Sequence, residues 1–263
     1  MNRYTETELM EARRALASTL SKCEKALLKL QPGKSQHTLT VRRIAALRIA
    51  LDLIERELDN MTIRLEEPKD YRKVEELTRE AFWNKYRPGC MEHYVLHRYR
   101  SRPEFVKDLD YVMEEEGRLV AHIMYSRAQI TADDGRIIPI MVFGPVSVLP
   151  EKQGGGRGGR LIRYTLELAE KMGCGAVAIT GDPDYYHRFG FVSGSKLGVW
   201  YDGIPRGEEA PFFMVKELKE GFLKGVTGVY RDPEGYFVED ADVEAFDAGF
   251  PPKEKKKLPG QLV

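Results

Sequence analysis

The 263-residue chain lacks any charge bias: 41 Lys and Arg balance 41 Asp and Glu. No long-range field favours nucleic acid or an anionic membrane surface, so neither is expected as a partner. Cysteine is scarce too. Cys23, Cys90 and Cys174 are odd in number, lie far apart and form no CxxC pair. That argues against a disulfide framework and fits a reducing cytoplasm. The start, Met1-Asn2-Arg3-Tyr4-Thr5-Glu6, has no apolar run of the kind a secretion signal carries. No stretch approaches the roughly 20 apolar residues of a membrane helix, and no lipidation motif stands at either end. What is present is ordinary globular composition, 42% hydrophobic and 31% charged, enough to bury a core.

Three segments are expected, with bounds at 1–60, 61–220 and 221–263. In the first, Leu16, Leu20, Cys23, Leu27 and Leu30 recur at alternating steps of four and three, and so do Ile44, Leu47, Leu51, Ile54 and Leu58. Both are narrow stripes of the coiled-coil kind. Thr5-x-x-Glu8 offers a capping box for the first helix, and Pro32-Gly33 is expected to end it. The short link at 31–38 predicts an antiparallel helical hairpin. Such a hairpin buries little alone, so docking on the main domain or on a second copy of the chain is expected.

Beyond residue 61 the period shifts. Residues 62–66 alternate as a strand, 68–82 read as a helix with Val74, Leu77, Ala81 and Phe82 inward, and 91–99 as a second short helix. Residues 110–114 and 118–130 pair about a turn at Glu116-Gly117, and 137–149 form a nearly continuous apolar strand after Asp134-Gly135. Next comes the densest feature of the sequence, Gln153-Gly154-Gly155-Gly156-Arg157-Gly158-Gly159. A helix follows, with Leu161, Ile162, Thr165, Leu166, Ala169 and Met172 on one face and Gly173 as its stop. A short buried strand spans 176–180, Asp182-Pro183 opens a small helix, and 198–201 and 212–218 are two further strands. Residues 221–263 are weakly patterned, and the charged stretch 253–257 reads as a solvated tail.

A strand, a turn full of glycines and a helix together make an anion cradle. Glycines let backbone N–H groups point inward, and the helix start adds positive partial charge. Three diphosphate ligands compete for it. A P-loop requires Lys-Ser/Thr at the helix start, where Arg160-Leu161 stands. Gly154-x-Gly156-x-x-Gly159 satisfies the dinucleotide GxGxxG pattern, and Asp182 follows the next strand where a ribose-binding acid belongs. However, Pro150-Glu151-Lys152-Gln153 separates the strand from the first glycine, and no second mononucleotide half is present. A merely flexible turn is the bland alternative, at an entropic cost with no return.

The third reading uses the surrounding residues. Val146-Ser147-Val148-Leu149-Pro150, then Gln153-x-x-Gly156-x-Gly158, then an amphipathic helix, resembles motif A of the GNAT family of N-acetyltransferases. Downstream, Gly181-Asp182-Pro183-Asp184-Tyr185-Tyr186-His187-Arg188-Phe189-Gly190-Phe191 resembles the family's tyrosine before Gly-Phe, in the wording of a bacterial subgroup. The resemblance covers about 62–220 and not the hairpin. It implies an α+β fold: a mixed, mostly antiparallel, splayed sheet flanked by helices, here preceded by the antiparallel hairpin. It also implies acetyl-CoA as co-substrate, entering where the sheet opens, with no metal. Carried over by position, the Val146 N–H faces the thioester carbonyl and Val148 pairs with the pantetheine arm. Backbone N–H groups of Gln153, Gly154, Gly155, Gly156, Arg157, Gly158 and Gly159 hold the pyrophosphate.

The chemistry so implied is direct attack of a primary amine on the thioester through a tetrahedral intermediate. A lysine-like amine, with reference pKa of about 10.4, must lose a proton. Val146 would stabilise the oxyanion, and Tyr186, five residues before Phe191, would protonate the departing thiolate, with Tyr185 as runner-up. Glu80 and His122 are the candidate bases. A half-buried structural histidine is the commoner role for a residue placed like His122, and a core aromatic for Tyr186 taken alone. His93 and His97 share a helix face but lack a third ligand for zinc. The acceptor, a small-molecule amine or a protein lysine, is open. The competing reading is a non-catalytic CoA- or protein-binding module with a degenerate core; a nicotinamide-linked oxidoreductase is a third.

Overall fold

The computed structural model describes Tyr4 and residues 6–58 and 61–261. The chain divides into two compact units, Met1–Thr62 and Ile63–Val263.

The first unit contains helices α1 (Glu6–Leu27) and α2 (Ser35–Leu58). Ion pairs join Arg13 to Glu55 and Glu24 to Arg48, early with late and late with early, so the helices run antiparallel. The stripe residues Leu16, Leu20, Cys23, Leu47 and Leu51 are half-buried, and Ile44 and Leu58 are buried. Helix α1 stops at Leu27, earlier than Pro32 suggested. Lys29 N–H bonds the Ala26 carbonyl (3.0 Å) and Leu30 N–H the Leu27 carbonyl (3.1 Å), so the end winds into the tighter i to i+3 pattern. Proline also disfavours helical backbone in the residue before it. Leu30 therefore lies beyond the helix, and Thr5, the expected cap, lies outside the described residues.

Strand β1 (Met61–Leu65) begins at the boundary, and the second unit continues through α3 (Tyr71–Phe82), α4 (Glu92–Tyr99), β2 (Tyr111–Glu115), β3 (Arg118–Ala132), β4 (Ile137–Val148), α5 (Arg157–Lys171), β5 (Ala176–Thr180), α6 (Pro183–Tyr186), β6 (Val192–Ser193), β7 (Val199–Tyr201), β8 (Phe213–Glu217), β9 (Gly228–Tyr230) and α7 (Asp240–Asp247). The sheet order is β1-β2-β3-β4-β5-β8-β6, with β9 pairing both β3 and β7. Pairing is parallel between β4 and β5 and between β7 and β9. It is antiparallel for β2–β3, β3–β4, β3–β9, β5–β8 and β6–β8.

Helices cover both faces. On one, Ser147 Oγ donates to Thr78 Oγ1 of α3 at 2.9 Å, and α4 lays Tyr99 over Ser126. On the other, Tyr125 and Thr165 of α5 join hydroxyls at 3.0 Å. Helix α5 forms along its stripe: Leu161, Ile162, Thr165, Leu166 and Ala169 are buried, whereas Met172, the last residue expected on that face, is the exposed cap residue after the helix, and Gly173 at φ 92° ends it. Among the described residues no helix is long and apolar enough to cross a membrane.

Of the weakly patterned stretch 221–263, the described residues, 221–261, fold as part of this unit. Its elements, a three-residue strand and an eight-residue helix, are too short to show a period. Tertiary contacts hold it. Arg79 on α3, 3% exposed, donates to both Asp247 oxygens of α7 at 2.6 and 3.0 Å and stacks on Trp83 at 4.1 Å. Asn84 receives the chain end: its Nδ2 donates to the Glu254 carbonyl, and Lys256 N–H donates to its Oδ1. The stretch 253–257 is thus tied at several points rather than only solvated. Arg79→Ala strands Asp247 without its bidentate partner. It is expected to lower unfolding free energy by about 3–5 kcal/mol, read as a lower urea midpoint at unchanged m-value.

Candidate active site

Strand β4 parts from its neighbour. Only Met141 and Val142 pair with β5, at Val177 and Ala178, whereas all of β5 continues along β8. Beyond Val142, β4 presents an edge on that side while its other edge stays paired with β3 as far as Val148. In an antiparallel ladder, backbone groups face the two sides alternately. Leu149 N–H bonds the Val120 carbonyl on the β3 side, so Val148 and Val146 turn theirs to the open side. The Val148 carbonyl is taken by Gln153 Nε2 at 3.0 Å, which leaves the Val146 and Val148 N–H groups facing the gap.

The strand also carries a bulge. Ile123 lies opposite Val146 and Tyr125 opposite Phe143, so Met124 faces two residues, Gly144 and Pro145. Their peptide bond is cis, and Gly144 has φ 147°, a region in effect reserved for glycine.

The glycine-rich run closes the end of the gap. Gly154 and Gly156 take φ 78° and 82°, and Gly156 is the left-handed residue from which α5 starts. The first-turn N–H groups of Gly158 and Gly159 have no helical carbonyl behind them. The donor run expected from Gln153 is shortened at its start, because Gln153 N–H bonds the Pro150 carbonyl at 3.3 Å. Side chains crowd Gly158 and Gly159 from behind. A Cβ on Gly158 would sit 2.9 Å from the Tyr185 hydroxyl and 3.4 Å from Val148 Cγ2, and one on Gly159 3.2 Å from Phe189. The Arg157 side chain points away and braces the turn, donating to both Glu115 oxygens at 3.2 and 3.0 Å and to the Lys152 carbonyl.

Helix α6 brings Tyr186 to the same place. Asp182 caps it, accepting Asp184 N–H at 2.9 Å, so the acid that a ribose site would use is already engaged. Tyr186 lies among Phe143, Phe191 and Tyr185, with ring centroids at 6.0, 6.0 and 5.0 Å. Burial holds its phenol well above the usual tyrosine range, with the neighbouring Tyr185 adding to the rise. The hydroxyl therefore keeps its proton at neutral pH, as a general acid must.

The two candidate bases are engaged elsewhere. His122 is fully buried; its Nε2 lies 2.7 Å from Asp110 Oδ1, and burial lowers it to about 4. Glu66 completes a buried trio with them and is itself pushed up to about 7, burial being the main cause. The trio has the spacing of metal ligands, but Arg100 already takes both Glu66 oxygens, at 3.0 and 2.7 Å. Glu80 is exposed and holds Lys253 of the chain end at 2.7 Å. His93 and His97 both pack on Phe246, with ring centroids 5.3 and 4.5 Å from it, but they face different carboxylates: His97 bonds Glu75 at 2.9 Å, and His93 Nε2 lies 3.0 Å from Asp247.

Residues 62–193, from the first strand through the gap, the glycine turn and Tyr186, match the family model described as an acetyltransferase (GNAT) domain. The chain belongs to the GNAT family. Among curated proteins it is similar to the uncharacterized N-acetyltransferase YjhQ of Escherichia coli K12, at 43% identity over 77 residues. That match takes in 29% of this chain and 41% of YjhQ, so it spans less than half the length of the relative. Among solved structures, a GNAT family acetyltransferase from Brucella melitensis in complex with acetyl-CoA is 26% identical, with TM-score 0.54 over 67% of this chain and 98% of that one. The GNAT family N-acetyltransferase YhbS from Escherichia coli, in complex with CoA, shares the fold at 24% identity and TM-score 0.58, over 67% of this chain and 91% of that one. A GNAT sheet with the helical hairpin before it is the expected fold class. The matched region leaves out both the hairpin and the segment after residue 193.

Two contributors to the site left no local signal. Glu115, which braces the turn through Arg157, is 42 residues from it. Tyr236, whose hydroxyl reaches the Gly144 carbonyl at 3.0 Å, is 92 residues away.

Proposed function

We propose that this chain transfers the acetyl group of acetyl-CoA to a primary amine. The observation that carries the reading is the parting of β4 from β5 beyond Val142, directly before a glycine turn that opens a helix. An extended pantetheine arm would lie along the open β4 edge and pair with Val148 N–H. The pyrophosphate would sit on the backbone N–H groups between Gly154 and Gly159, where absent side chains permit close approach.

In this reading the amine nitrogen attacks the acetyl carbon and a C–N bond forms. The oxygen of the resulting tetrahedral species gathers negative charge, which Val146 N–H stabilises from a fixed position. As the C–S bond breaks, the thiolate takes the Tyr186 proton, and the proton that the attacking nitrogen sheds passes through solvent water to the tyrosinate, so that the amide and the free thiol are the products and the acid is restored. We assign the base to neither Glu80 nor His122. His122 would need its buried Asp110 contact opened, and Glu80 would have to give up Lys253. The acceptor is taken to be an amine, from a small molecule or a protein lysine.

Two assays test this reading together. Calorimetry is expected to give saturable acetyl-CoA binding, and thiol release over a panel of primary amines is expected to exceed release in buffer. No binding at millimolar acetyl-CoA would sink the proposal. Binding with no amine-dependent release by any member of the panel would favour a CoA-binding module.

A further inference from the structure

The β4 bulge poses an accounting question about backbone polar groups. Two residues, Gly144 and Pro145, stand opposite Met124 of β3, so the ladder is interrupted there. Proline has no N–H to offer. At φ 147° Gly144 lies outside the strand conformation. A half-buried carbonyl at such a break needs a donor. It finds one in Tyr236, whose hydroxyl donates at 3.0 Å.

The donor comes from far away in the chain. Tyr236 sits in a short turn, Glu234–Tyr236, between β9 and α7, outside the region that matches the family model. Its position is well fixed. The ring packs on Tyr99 of α4 with centroids 4.9 Å apart, and a Cβ on Gly235 would come within 2.5 Å of the Tyr99 ring. Tyr99 is fully buried. The hydroxyl is thus held by a packed aromatic pair, and it touches the backbone two residues before Val146.

From this we infer that Tyr236 is a positioning residue for acetyl transfer: by holding the Gly144 carbonyl it fixes the bulge, and with it the direction of the Val146 N–H. The inference rests on the acetyl-transfer reading above. Its physical basis is the steep dependence of reaction rate on placement. A displacement of about 1 Å can cost on the order of a hundredfold in rate, and an oxyanion donor acts only when aimed at the developing charge. The segment after β9 is then part of the catalytic apparatus rather than an appendage.

The test compares Tyr236→Phe with Tyr99→Phe in the full chain. Each removes one hydroxyl from the same aromatic pair, but only Tyr236 touches Gly144. Tyr236→Phe is expected to lower kcat for thiol release about tenfold to a hundredfold and to leave KM for acetyl-CoA within about threefold. Tyr99→Phe is expected to leave kcat near that of the wild type. In parallel, amide hydrogen exchange of a peptide spanning 143–148 is expected to quicken in Tyr236→Phe alone, without ligand. Unchanged exchange and unchanged kcat in Tyr236→Phe would overturn the inference. A wild-type chain that neither binds nor consumes acetyl-CoA would refute the acetyl-transfer reading instead, and the exchange comparison would still decide whether the clamp exists.

Discussion

Gly158→Asp is expected to weaken acetyl-CoA binding at least about a hundredfold, which corresponds to roughly 2.8 kcal/mol. Gly158 stands in the first turn of α5 with Tyr185 and Val148 immediately behind it. A new Cβ meets the Tyr185 hydroxyl at 2.9 Å, so any side chain disturbs the wall of the turn. The carboxylate adds the larger effect. Like charges brought together at a binding site cost several kcal/mol, more than the roughly 1.5–3 kcal/mol of one lost hydrogen bond to a charged group. Folding should survive, since an acidic residue suits the first turn of a helix. Calorimetry checks the loss, and Gly158→Ala separates shape from charge with a smaller expected effect. A Kd for Gly158→Asp within threefold of the wild type would remove the glycine turn from the binding site.

Tyr186→Phe carries the second large effect, a fall in kcat of about a hundredfold or more with acetyl-CoA affinity preserved. General acids contribute on the order of 10² to 10⁴ in rate. Phenylalanine keeps the ring contacts with Phe143 and Phe191, which lie at equal centroid distances of 6.0 Å. The variant therefore removes one proton donor and little packing. The competing idea, that Tyr186 only fills the aromatic cluster, predicts a small change in kcat. Steady-state thiol release at saturating acetyl-CoA distinguishes the two, and a kcat within threefold of wild type would reassign the acid. Tyr185 is then the next to examine, since its hydroxyl lies at the start of α5.

The elements readable in advance were those whose signal is local. Strand β5 spans Ala176–Thr180 as its apolar run suggested, and Asp182-Pro183 starts α6 because the carboxylate caps Asp184 N–H. The glycine turn is legible for the same reason: few other residues occupy φ near 80° at low cost. The site's supports, by contrast, come from residues far apart in the chain. Arg79 and Asp247 are 168 residues apart, and Tyr236 and Gly144 are 92 apart. No period or motif links such pairs. His122 shows the limit from the other side. It is a candidate base on the central strand, where a structural histidine is the commoner role, but the partners that settle its surroundings, Asp110 and Glu66, converge on it only once β1, β2 and β3 stand side by side. Elements of two to four residues, such as β6, β9 and α6, need a cap or a partner strand to be recognised at all.

The open edge of β4 and the glycine turn are together expected to hold acetyl-CoA. A crystal structure of the chain with acetyl-CoA tests it most directly. Pyrophosphate oxygens are expected within about 3 Å of backbone nitrogens between Gly154 and Gly159. The thioester oxygen is expected at about 2.7–3.1 Å from the Val146 nitrogen. Acetyl-CoA seated away from the turn, or lying on the turn with its thioester remote from Val146, would contradict it.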